Sequence, residues 1–226
     1  MRYKSIVPGA FISRPNRFVA KVEAEGEVQT VHVKNTGRCR ELLIPGVRVY
    51  LERAENPNRA TQYDLVAVEK GKRLINMDSQ APNKVFGEYL RSGAYIPDIS
   101  LVRHEMRWGS SRFDFYAEAG SRKIFLEVKG VTLEENGVVL FPDAPTERGV
   151  KHLRELASCI SEGYEAHAVF VVQMKDVKYF TPNRRTHPAF AEALAEAEAA
   201  GVRLTALDCE VTPDSLSIRG EVPIKL

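Results

Sequence analysis

Apolar and polar residues alternate with a period of two along several short segments of the first 80 residues. Side chains two residues apart on a strand share one face, so this alternation predicts half-buried strands. Glycines lie between the segments and predict turns. The strand-like segments are 18–22, 31–33, 47–51, 65–68 and 74–75. Four or five short strands of this kind are typical of a small closed barrel, and an OB-like barrel is the natural expectation.

The rest of the chain mixes strand-like and helix-like patterns. The polar segment 76–82 contains a proline and predicts a domain boundary. Apolar residues recur with helical spacing in 83–91 and 150–160. The continuous apolar run 166–172 is typical of a strand buried on both faces. We therefore predict an α+β or α/β fold with two domains: an OB-like barrel over residues 1–80 and a mixed α/β domain over residues 81–226.

The segment Arg112–Gly130 predicts two strands joined by a turn. We expect Phe113 and Phe115 on one face of the first strand and Asp114 on the other. If the hairpin closes at the turn, Asp114 comes near Glu127 on the second strand. Two such carboxylates about 4 Å apart repel by roughly 4 kcal/mol at an effective dielectric constant near 20, so a positive charge must offset them.

A divalent cation would supply that charge, and hard oxygen ligands suit Mg²⁺ or Mn²⁺. Asp114 followed by Glu127-Val128-Lys129 has the pattern of the PD-(D/E)xK nuclease core. In this interpretation the Asp114 and Glu127 carboxylates and the Val128 carbonyl bind the metal. Lys129 acts beside them as a catalytic cation. The alternative is a set of structural charges on a solvated strand, since acid-x-Lys triplets are common.

Glu88 lies on the helix predicted just before the hairpin. Nuclease cores of this type often place a further acid there, so Glu88 is a candidate fourth catalytic residue. The alternative is an ordinary exposed glutamate on a helix.

Lys34, Arg38 and Arg40 surround Gly37 between two predicted strands. Arginine side chains and free backbone N–H groups match phosphate oxygens, so these three cations are candidate DNA contacts. A solvated loop that leads into a short helix explains them equally well.

Arg148 and Lys151 lie in the first turns of the helix predicted at 150–160. Positive charge there opposes the helix dipole, which favours an anionic partner over a purely structural role. Arg112, at the start of the hairpin, is a further candidate DNA contact. His152 is a weak candidate for a general base, and phosphate contact or support of the site is the preferred interpretation.

Composition limits the classes of protein to which this chain can belong. The chain has 226 residues, a net charge of +2 and three widely spaced cysteines. A charge this small excludes a global basic field, so DNA binding must depend on local clusters. The cysteine spacing argues against a disulfide framework or a zinc knuckle and favours a cytoplasmic protein. No segment is long and apolar enough to suggest a membrane span.

Several stretches together resemble the sugar fermentation stimulation protein (SfsA) family. They are NTGRCRELL, DSQAPN, SRFDF, EVKGVTL, FPDAPTERGVKHLREL and PNRRTHPAF. This resemblance implies an N-terminal OB-like domain and a C-terminal restriction-endonuclease-like domain. It also implies non-specific DNA binding and a role in regulating maltose metabolism.

We therefore expect a DNA-binding protein with a nuclease-type site that uses Mg²⁺ or Mn²⁺. The bound DNA is single- or double-stranded, and homodimerisation is left open. The first alternative is a DNA-binding regulator of sugar metabolism genes that never cleaves. The second is a module in which the acids and lysine form a buried ion network without DNA binding.

Overall fold

The N-terminal part of the computed structural model, which describes residues 1–35 and 37–226, is a closed barrel. Thr36, within the NTGRCRELL stretch, lies outside the described residues. The strands are β1 (Ile6–Asn16), β2 (Val19–Ala24), β3 (Glu27–Val33), β4 (Arg48–Arg53), β5 (Tyr63–Lys70) and β6 (Arg73–Asn76). Their order is β3-β2-β1-β4-β5-β6, and a parallel pairing of β3 with β5 closes the first five strands. The predicted OB-like barrel is confirmed.

Strand β1 was absent from the sequence-based prediction. It contains Pro8, Gly9 and Pro15, which interrupt the alternation, and its pairing with β2 is irregular after Phe11. A Cβ atom at Gly9 would lie 2.6 Å from Cγ1 of Val22. The strand therefore crosses β2 at a distance that only glycine permits.

The second part of the chain is a mixed α/β domain, as predicted. Its elements are α1 (Ala81–Arg91), β7 (Ile99–Trp108), β8 (Ser111–Ala119), β9 (Arg122–Val131), β10 (Leu133–Glu135), β11 (Val138–Phe141), α2 (Glu147–Ser161), β12 (Glu165–Val172), β13 (Tyr179–Pro182), α3 (Pro188–Ala199), β14 (Arg203–Thr212) and β15 (Ser215–Val222). The main sheet has the order β15-β14-β12-β9-β8-β7. Its central strands β9, β12 and β14 are parallel. A small sheet β10-β11-β13 lies beside it.

Helices cover both faces of the main sheet. Phe86 on α1 packs edge-to-face on Phe115 of β8. On the other face, α2 buries Val150, Leu153 and Leu156, the apolar stripe that its sequence predicts. Thr146 caps α2 by accepting a hydrogen bond from the Gly149 N–H at 3.1 Å. In the described part of the chain, no helix has both the length and the apolar character needed to cross a membrane.

Gln173, directly after β12, joins the barrel to the main sheet. Its Nε2 donates to Oδ1 of Asn76 at 2.8 Å and to the Asp78 carbonyl at 3.0 Å. The Asn76 N–H donates to the Gln173 carbonyl at 2.9 Å. The predicted division of the chain near residue 80 lies at this junction, and it stays a prediction.

Candidate functional site

The β8–β9 hairpin brings Asp114 and Glu127 to the same level of two neighbouring strands. Gly120 forms the turn with a φ of 60°, in the left-handed region that favours glycine. Phe115 then pairs with Leu126, so the next residues outward are the two acids. The hairpin therefore gathers two acids that have 12 residues between them in the sequence, by the count 127 − 114 − 1.

The alternation of β8 breaks at Asp114, contrary to the expectation that Phe113 and Phe115 share a face. Phe113 packs against Phe125 on the α2 side, whereas Phe115 packs on the α1 side. Oδ2 of Asp114 accepts a hydrogen bond from the Val128 N–H at 2.8 Å. The Asp114 side chain thus bonds to a backbone N–H of β9. The backbone pairing of β8 with β9 starts only at the next residue, Phe115. The strand rotates where this pairing is lost.

Glu127 is only 3% exposed, and its two oxygens have different surroundings. Oε1 accepts hydrogen bonds from Nζ of Lys129 and from Nδ1 of His152 on α2. Oε2 is buried and has no hydrogen-bond partner within the described residues. A buried, unpaired carboxylate oxygen is costly, so this atom needs a cation, a water or a proton.

The two acids differ in their affinity for protons. Burial raises the pKa of Asp114 above its ordinary value, and the nearby Glu127 carboxylate raises it further. Burial alone would raise the pKa of Glu127 too. The hydrogen bond from His152 and the charge of Lys129 nevertheless lower it below its ordinary value. Asp114 therefore holds its proton more tightly than an ordinary aspartate, and Glu127 holds its proton less tightly than an ordinary glutamate.

The oxygen atoms at this site fit a hard divalent cation that protein groups coordinate only in part. The site offers the Asp114 carboxylate, to which the Val128 N–H donates, and the unpaired Oε2 of Glu127. The described residues contain no cluster of three or more His, Cys, Asp or Glu side chains with metal-site geometry. A cation here would accordingly complete its shell with backbone or water oxygens, as Mg²⁺ commonly does.

Glu88 does not join these acids, so its proposed catalytic role needs correction. Its side chain is half exposed and forms an ion pair with the amino group of Met1 at 2.7 Å. Asn83, nearer the start of α1, faces the site instead, and its Nδ2 donates to Oδ1 of Asp114 at 2.8 Å. The two residues lie on different sides of α1 because they are five positions apart on a helix of 3.6 residues per turn.

Lys34 is also placed differently from the prediction. Its Nζ lies 3.0 Å from Oδ2 of Asp64, 3.5 Å from Oδ2 of Asp78 and 3.9 Å from Oε2 of Glu52. Burial would lower the pKa of Lys34, but these carboxylates raise it above its ordinary value. Lys34 is therefore a counter-ion for these carboxylates, and its charge is already paired within the chain.

Arg38 and Arg40 are exposed on the loop after β3, beside Arg17. Arg14 fixes this loop, because its guanidinium group donates to the carbonyls of Arg17, Asn35, Gly37 and Arg38. The loop lines a recess of about 360 Å³. The barrel thus carries a local cationic surface, formed by Arg17, Arg38 and Arg40.

Arg112, Arg148 and Lys151 are brought together at a second recess, of about 490 Å³. All three are exposed, although Arg112 lies 3.4 Å from Glu105 and Lys151 donates to the Ser110 carbonyl at 3.3 Å. Buried His152 also lines this recess, and its Nδ1 contacts Oε1 of Glu127. Arg148 is therefore linked to Glu127 through His152, and Arg112 and Lys151 lie at the same recess.

Comparison with known proteins assigns the chain to a family. A model of the SfsA N-terminal OB domain matches residues 12–77, and a model of the sugar fermentation stimulation protein RE domain matches residues 80–215. The chain belongs to the SfsA family. The sugar fermentation stimulation protein homologue of Desulfitobacterium hafniense is 61% identical over 100% of this chain and 99% of its own length. The homologue of Clostridium beijerinckii is 54% identical over 100% of both chains.

A solved SfsA structure has the same fold. It is described as Pyrococcus furiosus SfsA in complex with Ca²⁺ and is 30% identical to this chain. The superposition has a TM-score of 0.91 and covers 100% of this chain and 98% of the archaeal one. The resemblance noted in the sequence motifs and the restriction-endonuclease-like second domain are confirmed by these matches.

Two residues of this SfsA-family site were missed or undervalued in the sequence. Asn83 lies in the DSQAPN stretch, and its position in the first turn of a helix was the only available signal. His152 was considered, but its contact with Glu127 spans 25 positions and has no local signature. Both act on the acids through hydrogen bonds from helices on opposite faces of the sheet.

Proposed function

We propose that this SfsA-family chain binds DNA and hydrolyses its phosphodiester bonds with a divalent cation. The observation that carries the proposal is the buried Oε2 of Glu127, which lacks a partner beside the Asp114 carboxylate. The description of the archaeal relative as a Ca²⁺ complex supports a divalent ion. Mg²⁺ or Mn²⁺ is the proposed catalytic ion because both prefer oxygen ligands.

In this mechanism Asp114, Glu127 and the Val128 carbonyl would hold the cation. The cation would polarise the phosphoryl oxygen and lower the pKa of an attacking water. Lys129 is 20% exposed and donates to Glu127, so its ammonium lies at the acids yet remains open to solvent. Lys129 orients the water and stabilises the negative charge that develops on the phosphate.

The DNA backbone is held by the exposed cations. Arg38 and Arg40 contact phosphates from the barrel, and Arg148 and Lys151 do so from α2. Phosphate contacts release bound counterions, so affinity should fall steeply as salt concentration rises. Arg112 pairs with Glu105 at 3.4 Å, so its contact with a phosphate requires this exposed ion pair to open.

Nicking of supercoiled plasmid in Mg²⁺ or Mn²⁺ tests the proposal. The wild type should convert it to the open circle, whereas Asp114→Ala and Lys129→Ala should lose about 10²-fold or more in rate. Glu88→Gln, on the same face of the fold but away from the acids, is the matched control and should nick normally.

Salt-dependent binding of the plasmid without nicking in any divalent metal would reject the enzyme. It would leave the alternative of a DNA-binding regulator of sugar, including maltose, metabolism genes. Absence of DNA binding would reject both.

A further inference from the structure

A cavity of about 310 Å³ lies between the barrel and the main sheet. Its walls include Asn35 and Gly37 from the loop after β3, Gly130 and Thr132 at the end of β9, and Gln173 after β12. This volume is at the small end of the range of about 300–1,000 Å³ for ligand pockets, so it suits one small heterocycle and not a duplex.

Two side-chain oxygens without a hydrogen-bond partner among the described residues belong to residues that line this cavity. Gln173 is 2% exposed, and its Nε2 is already used in two hydrogen bonds to the junction, whereas its Oε1 has no partner within the described residues. That oxygen lies 2.6 Å from the position that a Cβ atom would take on Gly130, so it is at the cavity wall. Thr132 is 8% exposed, and its hydroxyl also lacks a partner within the described residues. Both oxygens can therefore accept a hydrogen bond from a group that enters the cavity.

Asp143 supplies a carboxylate on another wall. Its Oδ2 accepts a hydrogen bond from the Arg38 N–H at 2.9 Å. A Cβ atom at Gly37 would lie 2.3 Å from the same oxygen, so glycine permits the barrel loop to approach so closely. Neither lysine nor arginine is among the described lining residues. A wall with a carboxylate and without cations disfavours a phosphate and favours a neutral group that donates N–H hydrogen bonds.

Leu133, Leu140 and Phe141 also line the cavity and add apolar surface beside its polar groups. Apolar surface next to convergent polar atoms matches the flat faces and the polar edge of a nucleobase. The cavity borders β9 one residue beyond Lys129, because Gly130 lines it. Thr146, the cap of α2, lines it on another side.

We propose that this cavity receives one unstacked nucleobase with an exocyclic amine, while the attached phosphate lies toward Lys129. Gln173 Oε1 and the Asp143 carboxylate accept hydrogen bonds from the base, and the Thr132 hydroxyl bonds to its edge. This assignment of the substrate rests on the proposed DNA binding.

Fluorescence of 2-aminopurine, a base with an exocyclic amine, tests the assignment. Duplexes with one 2-aminopurine are mixed with the full chain in Ca²⁺, and binding is followed separately by the anisotropy of a dye at the duplex end. The wild type should raise 2-aminopurine emission on binding, because the base leaves the stack. Thr132→Val, which removes only the hydroxyl, should weaken this response about fivefold, as expected for one lost hydrogen bond.

Two variants make the result specific. Ala144→Phe fills the cavity from a half-exposed lining position and should abolish the emission change while anisotropy still reports DNA binding. Thr30→Val makes the same chemical change as Thr132→Val at an exposed barrel position and should behave like the wild type. DNA binding with no emission change in the wild type, or an equal change in Ala144→Phe, would overturn the proposal.

Titration with free 2-aminopurine riboside tests the cavity independently of DNA binding. If the chain binds no DNA, the proposed function fails, and titration with the riboside then decides the cavity. Binding that is lost in Ala144→Phe supports the base pocket, whereas no binding at millimolar riboside rejects it.

Discussion

Nδ1 of His152 lies 2.5 Å from Oε1 of Glu127, and Nε2 of the same ring accepts a hydrogen bond from Nε of Arg148 at 3.3 Å. An arginine can only donate, so Nε2 is the acceptor nitrogen and the ring proton is on Nδ1. His152 therefore donates to Glu127 and fixes the rotation of its carboxylate. The free oxygen, Oε2, is held in place by this contact.

His152→Ala should weaken divalent-metal binding about 10- to 100-fold, the usual loss when a residue that supports a ligand is removed. His152→Asn can still donate from an amide and should restore part of the affinity. Calorimetric titration with Ca²⁺ measures both. Unchanged affinity in a folded His152→Ala variant would show that the histidine is only a packing residue.

Asn83→Ala should slow plasmid nicking more than Glu88→Gln. Asn83 holds Oδ1 of Asp114, and its loss frees the carboxylate to rotate, which should cost about 10-fold in rate. Glu88 contacts the amino group of Met1 and has no link to the acids. Equal losses in the two variants would contradict the geometry of α1 described above.

Lys34→Met should lower the free energy of unfolding by about 3 kcal/mol, because it leaves the buried carboxylates of Asp64 and Asp78 without this counter-ion. Arg40→Met removes an exposed cation and should change stability by no more than about 0.5 kcal/mol. DNA affinity should fall in Arg40→Met and stay unchanged in Lys34→Met. Only Arg40→Met should reduce the salt dependence of binding, by about one phosphate contact. Urea denaturation and salt titration separate the two effects.

The free energy of unfolding should fall as pH falls from 6.5 to 4, in part through His167. Burial, assisted by Arg203, lowers the pKa of His167 to about 4 in the folded chain. The unfolded chain binds the proton near pH 6.5, so the stabilisation is complete above that pH and is lost below it, by about 3 kcal/mol in total. His167→Gln should flatten this part of the pH profile. Exposed His104→Asn is the control and should keep the wild-type slope.

Local patterns predicted the parts of the fold that depend on neighbouring residues. The β8–β9 hairpin follows from alternation and from Gly120, and α2 follows from the apolar stripe at Val150, Leu153 and Leu156. Strand β1 and the short strand β13 were missed because their prolines and polar residues obscure the period of two. Their pairing depends on partners elsewhere in the chain.

Long-range contacts explain the errors at the site. Lys34 looks like a free loop cation in the sequence, but Asp64 and Asp78, its partners, follow 30 and 44 residues later by the differences 64 − 34 and 78 − 34. Glu88 looks like a site acid because the pattern gives its helix and not the direction of its side chain. The rotation of β8 at Asp114 occurs where this residue accepts a hydrogen bond from Val128, 14 residues away, and has no sequence signal.

The hydrogen bonds of Gln173 affect whether the chain can be divided into two fragments that fold separately. A cut near residue 80 would leave the Gln173 amide without its two acceptors in one fragment and Asn76 without its donor in the other. Each fragment would then lose these buried hydrogen bonds and bond the freed groups to water instead. The barrel and the main sheet should therefore melt together in one cooperative transition, and neither fragment should fold as stably as it does within the whole.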